Sequence, residues 1–396
     1  MKIRRVAIVL ASLMFTVILG VAIAAVYLFY PGPDGTRDCA EESQIDLQQF
    51  FDQIPDFIEK YYDPAFEYNP LDVRGHFSID AGGVEDLYGA VDMAYIFWIT
   101  GELESRTTEE GRAAWAGIIQ GYQNPRTGLF DRGNYSGESV LHATAFATAG
   151  LKLLGHEPLY PHLWAEDIFS TPEQIEAWLD SFRWEQIWSG SHDTGAAAAV
   201  IDAPKGINLP ANWGDMVLAA FTDRTDSRTG FWKNAGRDGI LTFPTTIDLG
   251  GAAHFWWIYY HLGEEIPHAP QAMESILRTQ RRTGIWGGRV FNGAFPQGID
   301  FDAINGYRFL LGSVSPDFRE GITEQIIASV DQYACALDFH LNRPGSLEDL
   351  YNSSHKLVGL LNTLAEVNLL YSELTGEAKL TGVGELRSAL DFVAWQ

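Results

Sequence analysis

The sequence predicts an all-α protein: one (α/α)6 toroid of six helical hairpins, preceded by one N-terminal transmembrane helix. Three observations predict it. Apolar residues recur at helical spacing almost throughout, and no stretch shows a convincing two-residue alternation. The helical stretches come in pairs, a mixed helix followed by a more apolar one. An Arg-Thr-Gly followed by an apolar residue and an aromatic occurs three times, as RTGLF from Arg126, RTGFW from Arg228 and RTGIW from Arg282.

Residues 1–5, MKIRR, precede an uncharged run from Val6 to Tyr30 that is about long enough to cross a bilayer. Arg4 and Arg5 lie before the run, and Asp34, Asp38, Glu41 and Glu42 lie after it. The positive-inside rule then keeps 1–5 in the cytoplasm, makes 6–30 a single-pass anchor and exports the rest. A cleaved signal peptide is the alternative, but its apolar core is normally shorter. Residues 31–44 read as a polar linker and 45–396 as the toroid domain. Cys39 and Cys335 are the only cysteines, so no disulfide framework is legible.

Six pairs follow the linker. Their mixed members begin near Ile45, Gly111, Pro172, Asn212, Ala269 and Glu320. Their apolar partners begin near Glu85, Ser139, Ser191, Thr246, Asp300 and Asp349. A helix apolar on nearly all sides is buried, and one with a polar face lies outside. Repetition of roughly 50 residues points to a repeat architecture. An open stack would need polar end caps, whereas a closed ring needs none. Each Arg-Thr-Gly falls between an outer and an inner helix. There Gly supplies the left-handed backbone that ends a helix or forms a turn, and the aromatic can fold back over the helix end.

The chain carries 52 acidic and 27 basic residues, a formal charge of -25 that repels phosphate backbones and excludes nucleic acid as a partner. In a closed toroid the first turns of the inner helices converge on one mouth. His192 and Asp193 in SHDTG, with Asp300 and Asp302 in GIDFDA, form the candidate acid–base set. Tyr88, Asp86, His142, Asp248, His254, Asn352 and His355 are candidates to bind substrate. Asp near a helix start also serves as a cap, so two readings stand side by side for each.

QNPRTGLF and QRRTGIWGG resemble the Gln-x(2–5)-Gly-x-Trp repeat of the terpenoid cyclase and protein prenyltransferase toroids. TDRTDSRTGFW lacks the Gln. GIDFDAINGY resembles the Asp-x-Asp-Asp-Thr-Ala acid motif of class II terpenoid cyclases without its third acid and Thr, which would make Asp302 the acid. DLYNSSHKLVGL resembles the His-bearing helix of the prenyltransferases. Cys335, Asp331 and His355 would be the only zinc set, and their spacing does not match that family, so neither metal nor other cofactor is expected.

Six-hairpin glycosidases and toroidal polysaccharide lyases or epimerases share this architecture. They also use aromatic faces for sugars, and Trp98, Trp188, Trp213, Trp232, Trp256, Trp257 and Trp286 are available for stacking. The leading expectation is a membrane-anchored extracytoplasmic enzyme acting on a glycan by hydrolysis, elimination or epimerisation, its partners being a glycan or lipid-linked substrate and the membrane. A cyclase acting on an isoprenoid lipid and a non-catalytic glycan-binding or scaffold toroid are the alternatives.

Overall fold

A computed structural model describes residues 44–131, 138–232, 244–287, 296 and 298–396. The expected anchor lies outside the described residues, and no described helix is long and apolar enough to cross a membrane. The protein is mostly helical. In chain order its principal helices are α1 (Ile54–Lys60), α2 (Leu87–Ile99), α3 (Glu109–Gly121), α4 (Val140–Leu153), α5 (Pro172–Asp180), α6 (Ile187–Ser191), α7 (Gly195–Asp202), α8 (Trp213–Asp223), α9 (Thr246–Leu262), α10 (Ala269–Thr279), α11 (Gly298–Leu311), α12 (Pro316–Leu341) and α13 (Ser354–Thr375).

The apolar helices pack side by side. α2 lies on α4, α4 on α7, α6 on α9, α9 on α11, α11 on α13, and α13 returns to α2. The mixed helices flank them: α3 packs on α2 and α4, α8 on α9, α10 on α11, and α12 on α13. Composition explains the division. Every residue of α2 is buried except the partly buried Trp98, whereas α3 buries only Gly111, Trp115, Ala116 and Ile119.

Three boundaries differ from expectation. The first mixed helix is not continuous from Ile45: Ile45–Asp46 is a short strand parallel to Leu380–Thr381, and α1 begins later with Pro55 in its first turn. Proline has no N–H to donate inside a helix, so the helix starts there. The sixth apolar helix starts at Ser354 rather than Asp349, because the Ser353 side chain caps it by accepting from Lys356 N. The third apolar helix is broken, with a 3-10 turn at His192–Thr194 between α6 and α7.

The Arg-Thr-Gly turns are built as the sequence reading requires. Gly128, Gly230 and Gly284 have φ of 73°, 69° and 88°. Each is also crowded by backbone. A Cβ would come within 2.4 Å of Pro161 O at Gly128, 2.5 Å of Ala272 N at Gly230 and 2.2 Å of Gln332 O at Gly284. The aromatics fold back over helix ends: Trp232 Nε1 donates to Phe221 O and Trp286 Nε1 to Ile276 O, each at 2.9 Å. Gln123 Nε2 bonds Gly128 O and Tyr160 O, and Gln280 Nε2 bonds Gly284 O and Ser329 O, which ties the turn to the next hairpin. Where Gln is missing, Asp226 clasps Arg228 instead. The third hairpin has no Arg-Thr-Gly, yet Trp184 Nε1 still donates to Leu179 O at 2.8 Å.

Cys335 on α12 is disulfide-bonded, a feature the sequence reading did not foresee. Cys39, the only other cysteine of the sequence, lies outside the described residues.

Replacing Gly128, Gly230 or Gly284 with Val imposes both a disfavoured φ and a backbone collision. Each variant is expected to lose at least about 1–3 kcal/mol, read as a lower thermal midpoint. Midpoints equal to the wild type in all three would refute this account of the turns.

Candidate functional site

The N-terminal parts of α11 and α13, the start of α4, the segment 188–192 and the middle of α9 surround a cavity of about 250 Å³. Glu138, His142, His192, His254, Asp302 and His355 line it, together with Trp188, Trp257, Phe301, Tyr351 and Lys356. Glycine makes room for them. A Cβ on Gly250 of α9 would meet Asp302 Oδ2 at 3.1 Å and the Trp188 ring at 3.4 Å. Trp395, fully buried, stacks on His254 at 5.1 Å between ring centroids and meets Trp257 edge-on at 5.2 Å.

Each of the four imidazoles is held through Nδ1. His192 Nδ1 pairs with the Glu138 carboxylate. His355 Nδ1 lies 2.8 Å from Asp92 Oδ1, and Asp92, fully buried on α2, also accepts from Ser354 Oγ at 2.6 Å. His142 Nδ1 lies 3.2 Å from the Tyr88 hydroxyl. His254 Nδ1 lies 2.7 Å from Ser191 Oγ. The Ser191 hydrogen goes to Trp188 O at 2.8 Å, so the imidazole is the donor at Nδ1. A partner at Nδ1 orients each ring and leaves Nε2 as its second nitrogen. Ring centroids of His142 and His192 are 5.0 Å apart, as are those of His192 and His254, and His355 lies 6.3 Å from His142.

The protonation states differ sharply. Burial pushes His142 down to about 3, and the fields of His192 and His355 add to the shift. Burial likewise holds His254 well below the ordinary imidazole range. Both are therefore neutral at pH 7. Burial opposes protonation of His355, but the charge of Asp92 outweighs it and raises the pKa. Burial also opposes ionisation of Glu138, yet the His192 hydrogen bond and the neighbouring imidazoles hold it far below the usual carboxylate range. Asp302 moves the other way. Burial, reinforced by the charge of Asp300, raises it well above the ordinary value and so favours its neutral form.

Of the expected acid–base set, His192 and Asp302 line the cavity. Asp300 instead accepts from Trp286 N at 2.6 Å and Gly287 N at 3.2 Å, fixing the turn before α11. Asp193 turns to Ser139, the N-cap of α4. Among the expected substrate contacts, His142, His254 and His355 line the cavity, and Tyr88 stands behind His142. Asp86 caps α2 by accepting from Gly89 N and Ile79 N, and Asp248 forms a capping box with Thr245. Asn352 accepts from Lys356 Nζ at 2.6 Å. Of the tryptophans offered for stacking, Trp188 and Trp257 line the cavity, while Trp232, Trp256 and Trp286 are core.

Sequence reasoning missed Glu138 and Asp92. Glu138 stands one residue before a cap and carries no motif. Asp92 did leave a signal, as the lone charge in LYGAVDMAYIFWI. Among the described residues no group of three His, Cys, Asp or Glu side chains is arranged to hold a metal ion. Asp331 pairs with Lys379 at 2.7 Å and Cys335 is disulfide-bonded, so neither joins His355. No protein-family model, curated protein or solved structure matches the chain.

Asp302 gives the site a pH signature. Its folded pKa lies above the unfolded value of about 3.9. The unfolded chain therefore sheds this proton first, and the group's contribution to stability falls as pH rises from about 4 through the folded pKa. Asp302→Asn removes that term, so its thermal midpoint should gain on the wild type from pH 4 to pH 8. A difference that is constant with pH, or that moves the other way, would show that Asp302 is ionised when folded.

Proposed function

We propose that the chain is a membrane-anchored, extracytoplasmic (α/α)6-toroid enzyme that acts on a glycan by acid–base chemistry in its central cavity. The return of α13 to α2 supports the closed ring, with six apolar helices inside and the mixed helices around them. The observation that carries the activity is the buried Asp302 carboxyl, its pKa raised by burial, in one cavity with imidazoles that are anchored at Nδ1. A general acid must hold its proton and a general base must lack one at working pH. Burial shifts Asp302 toward the first requirement, and His192, oriented by Glu138, is placed to serve as the base. Trp188 and Trp257 supply apolar faces for a sugar ring.

Two features support the compartment and orientation. A disulfide at Cys335 is at home in an oxidising compartment. Gln44, where the described chain begins, donates to Ala378 O beyond the C-terminal end of α13, whereas His355 lies at that helix's N-terminal end. The mouth therefore points away from the side where the anchor would join, toward substrates beyond the membrane. The cyclase reading keeps one favourable observation, the aromatic wall of Trp188, Trp257, Phe301 and Tyr351 around a protonated Asp. Four imidazoles and an ionised Glu138 count against it, because they would quench a carbocation.

Asp302→Asn keeps the shape of the side chain and removes its acid function. Turnover of oligosaccharides should fall by about 10²–10⁴, while their binding, measured by calorimetry, persists. Undiminished turnover in this variant would sink the assignment. Turnover of a polyprenyl substrate, with none of any saccharide, would transfer it to the cyclase reading.

A further inference from the structure

We propose that the cavity is a two-base site, in which His192 and His355 work on opposite faces of one carbon and invert a stereocentre next to a carboxylate, as in a uronic acid residue. This rests on the glycan reading above and selects epimerisation from within it.

The argument begins with the order of the ring. The 3-10 turn that carries His192 packs between α4 and α9, whereas α13, which carries His355, packs between α11 and α2. In a closed ring of six these are the third and sixth positions, which face each other across the centre. The two histidines are also the ones backed by carboxylates, Glu138 for His192 and Asp92 for His355. The other two rest on hydroxyls, Tyr88 for His142 and Ser191 for His254. A carboxylate behind Nδ1 stabilises the imidazolium, so a ring so backed can both take a proton at Nε2 and return it. A hydroxyl gives much less of that stabilisation. His142 stands between the pair, within ring-contact distance of each, so both lie on one small cavity. Asp302 on α11, at the fifth position, lies to one side of the line joining them.

That layout fits one reaction. One imidazole removes the hydrogen on the stereocentre, forming N–H and breaking C–H. The electron pair moves into the adjoining carboxyl group, whose oxygen accepts the Asp302 hydrogen bond as its charge grows. The opposite imidazolium then gives its proton to the other face of the carbon. Bonds and charges balance, no oxidant or reductant is needed, and the two histidines finish with their protons exchanged. Elimination or hydrolysis would use one base and would leave the second carboxylate–histidine pair without a role.

The test uses mannuronate and glucuronate oligosaccharides with the full chain in deuterated water, followed by NMR. Wild-type protein should yield the inverted residue carrying deuterium at the inverted carbon. His192→Ala and His355→Ala should each lower inversion by at least 100-fold. Each should still exchange that hydrogen in one epimer only, and the two variants should exchange opposite epimers. Glu138→Gln and Asp92→Asn should weaken exchange of the same epimer as loss of the histidine each supports. Thermal midpoints confirm that the variants fold. Turnover to an unsaturated or hydrolysed product without deuterated epimer would overturn this proposal and leave the glycan reading standing. No reaction and no binding with any saccharide would overturn both. Loss of exchange into both epimers in either folded histidine variant would show a single base and overturn the two-base assignment.

Discussion

Asp92 joins the first inner helix to the last. Its carboxylate, with no exposed surface, accepts from Ser354 Oγ and faces His355 Nδ1 across the seam between α2 and α13. A buried carboxylate without partners would cost several kcal/mol, so those partners must be in place whenever the helix is. The packing of α13 on α2 supplies them. The seam is therefore held by contacts that also orient a cavity imidazole, and architecture and site cannot be altered separately there.

The same economy recurs around the cavity. His254 on α9 reaches Ser191 at the end of α6, and His142 on α4 reaches Tyr88 on α2. Side chains of α2 and α6 thus anchor imidazoles carried by α13, α4 and α9. This is how polar groups survive among helices that are apolar on nearly every face. The third apolar helix is broken at His192. A continuous third helix would keep the regular helical rise, whereas the tighter 3-10 turn resets the direction of α7. Gly195 then lets that helix approach α4, where a Cβ would stand 3.0 Å from Leu141 O.

Much of the fold was legible because burial writes itself into composition. The apolar helices, their mixed partners and the glycine turns each follow from a local rule. Boundaries were less legible where a single side chain decides them, as Ser353 does for α13 and Pro55 for α1. The site was legible only in part. His142, His192, His254, Asp302 and His355 stand out as polar residues on apolar helices. Asp86, Asp248 and Asp300 stand out by the same criterion, and their bonds go to backbone amides instead. The Thr-x-x-Asp pattern at Thr245 was a readable capping box. Nothing local marks the role of Asp300, because its partners belong to the preceding turn and depend on how that turn docks.

The Arg-Thr-Gly motif carries this dependence furthest. Its Gly turns the chain just beyond the end of an outer helix, its Trp closes that helix's carbonyl end, and the two residues after Gly-Ile in RTGIWG present their amides to Asp300. Asp300 lies two residues before Asp302, and its charge adds to the burial that raises the Asp302 pKa. The repeated structural turn thus also holds a carboxylate that bears on the acid in the cavity. In the other two copies the aromatic has other partners: Phe130 N donates to Thr144 Oγ1 at 3.1 Å, and Trp232 stacks on Phe255 at 4.4 Å. The motif is common to three hairpins, and in the fifth its amides meet the Asp300 carboxylate beside the cavity acid.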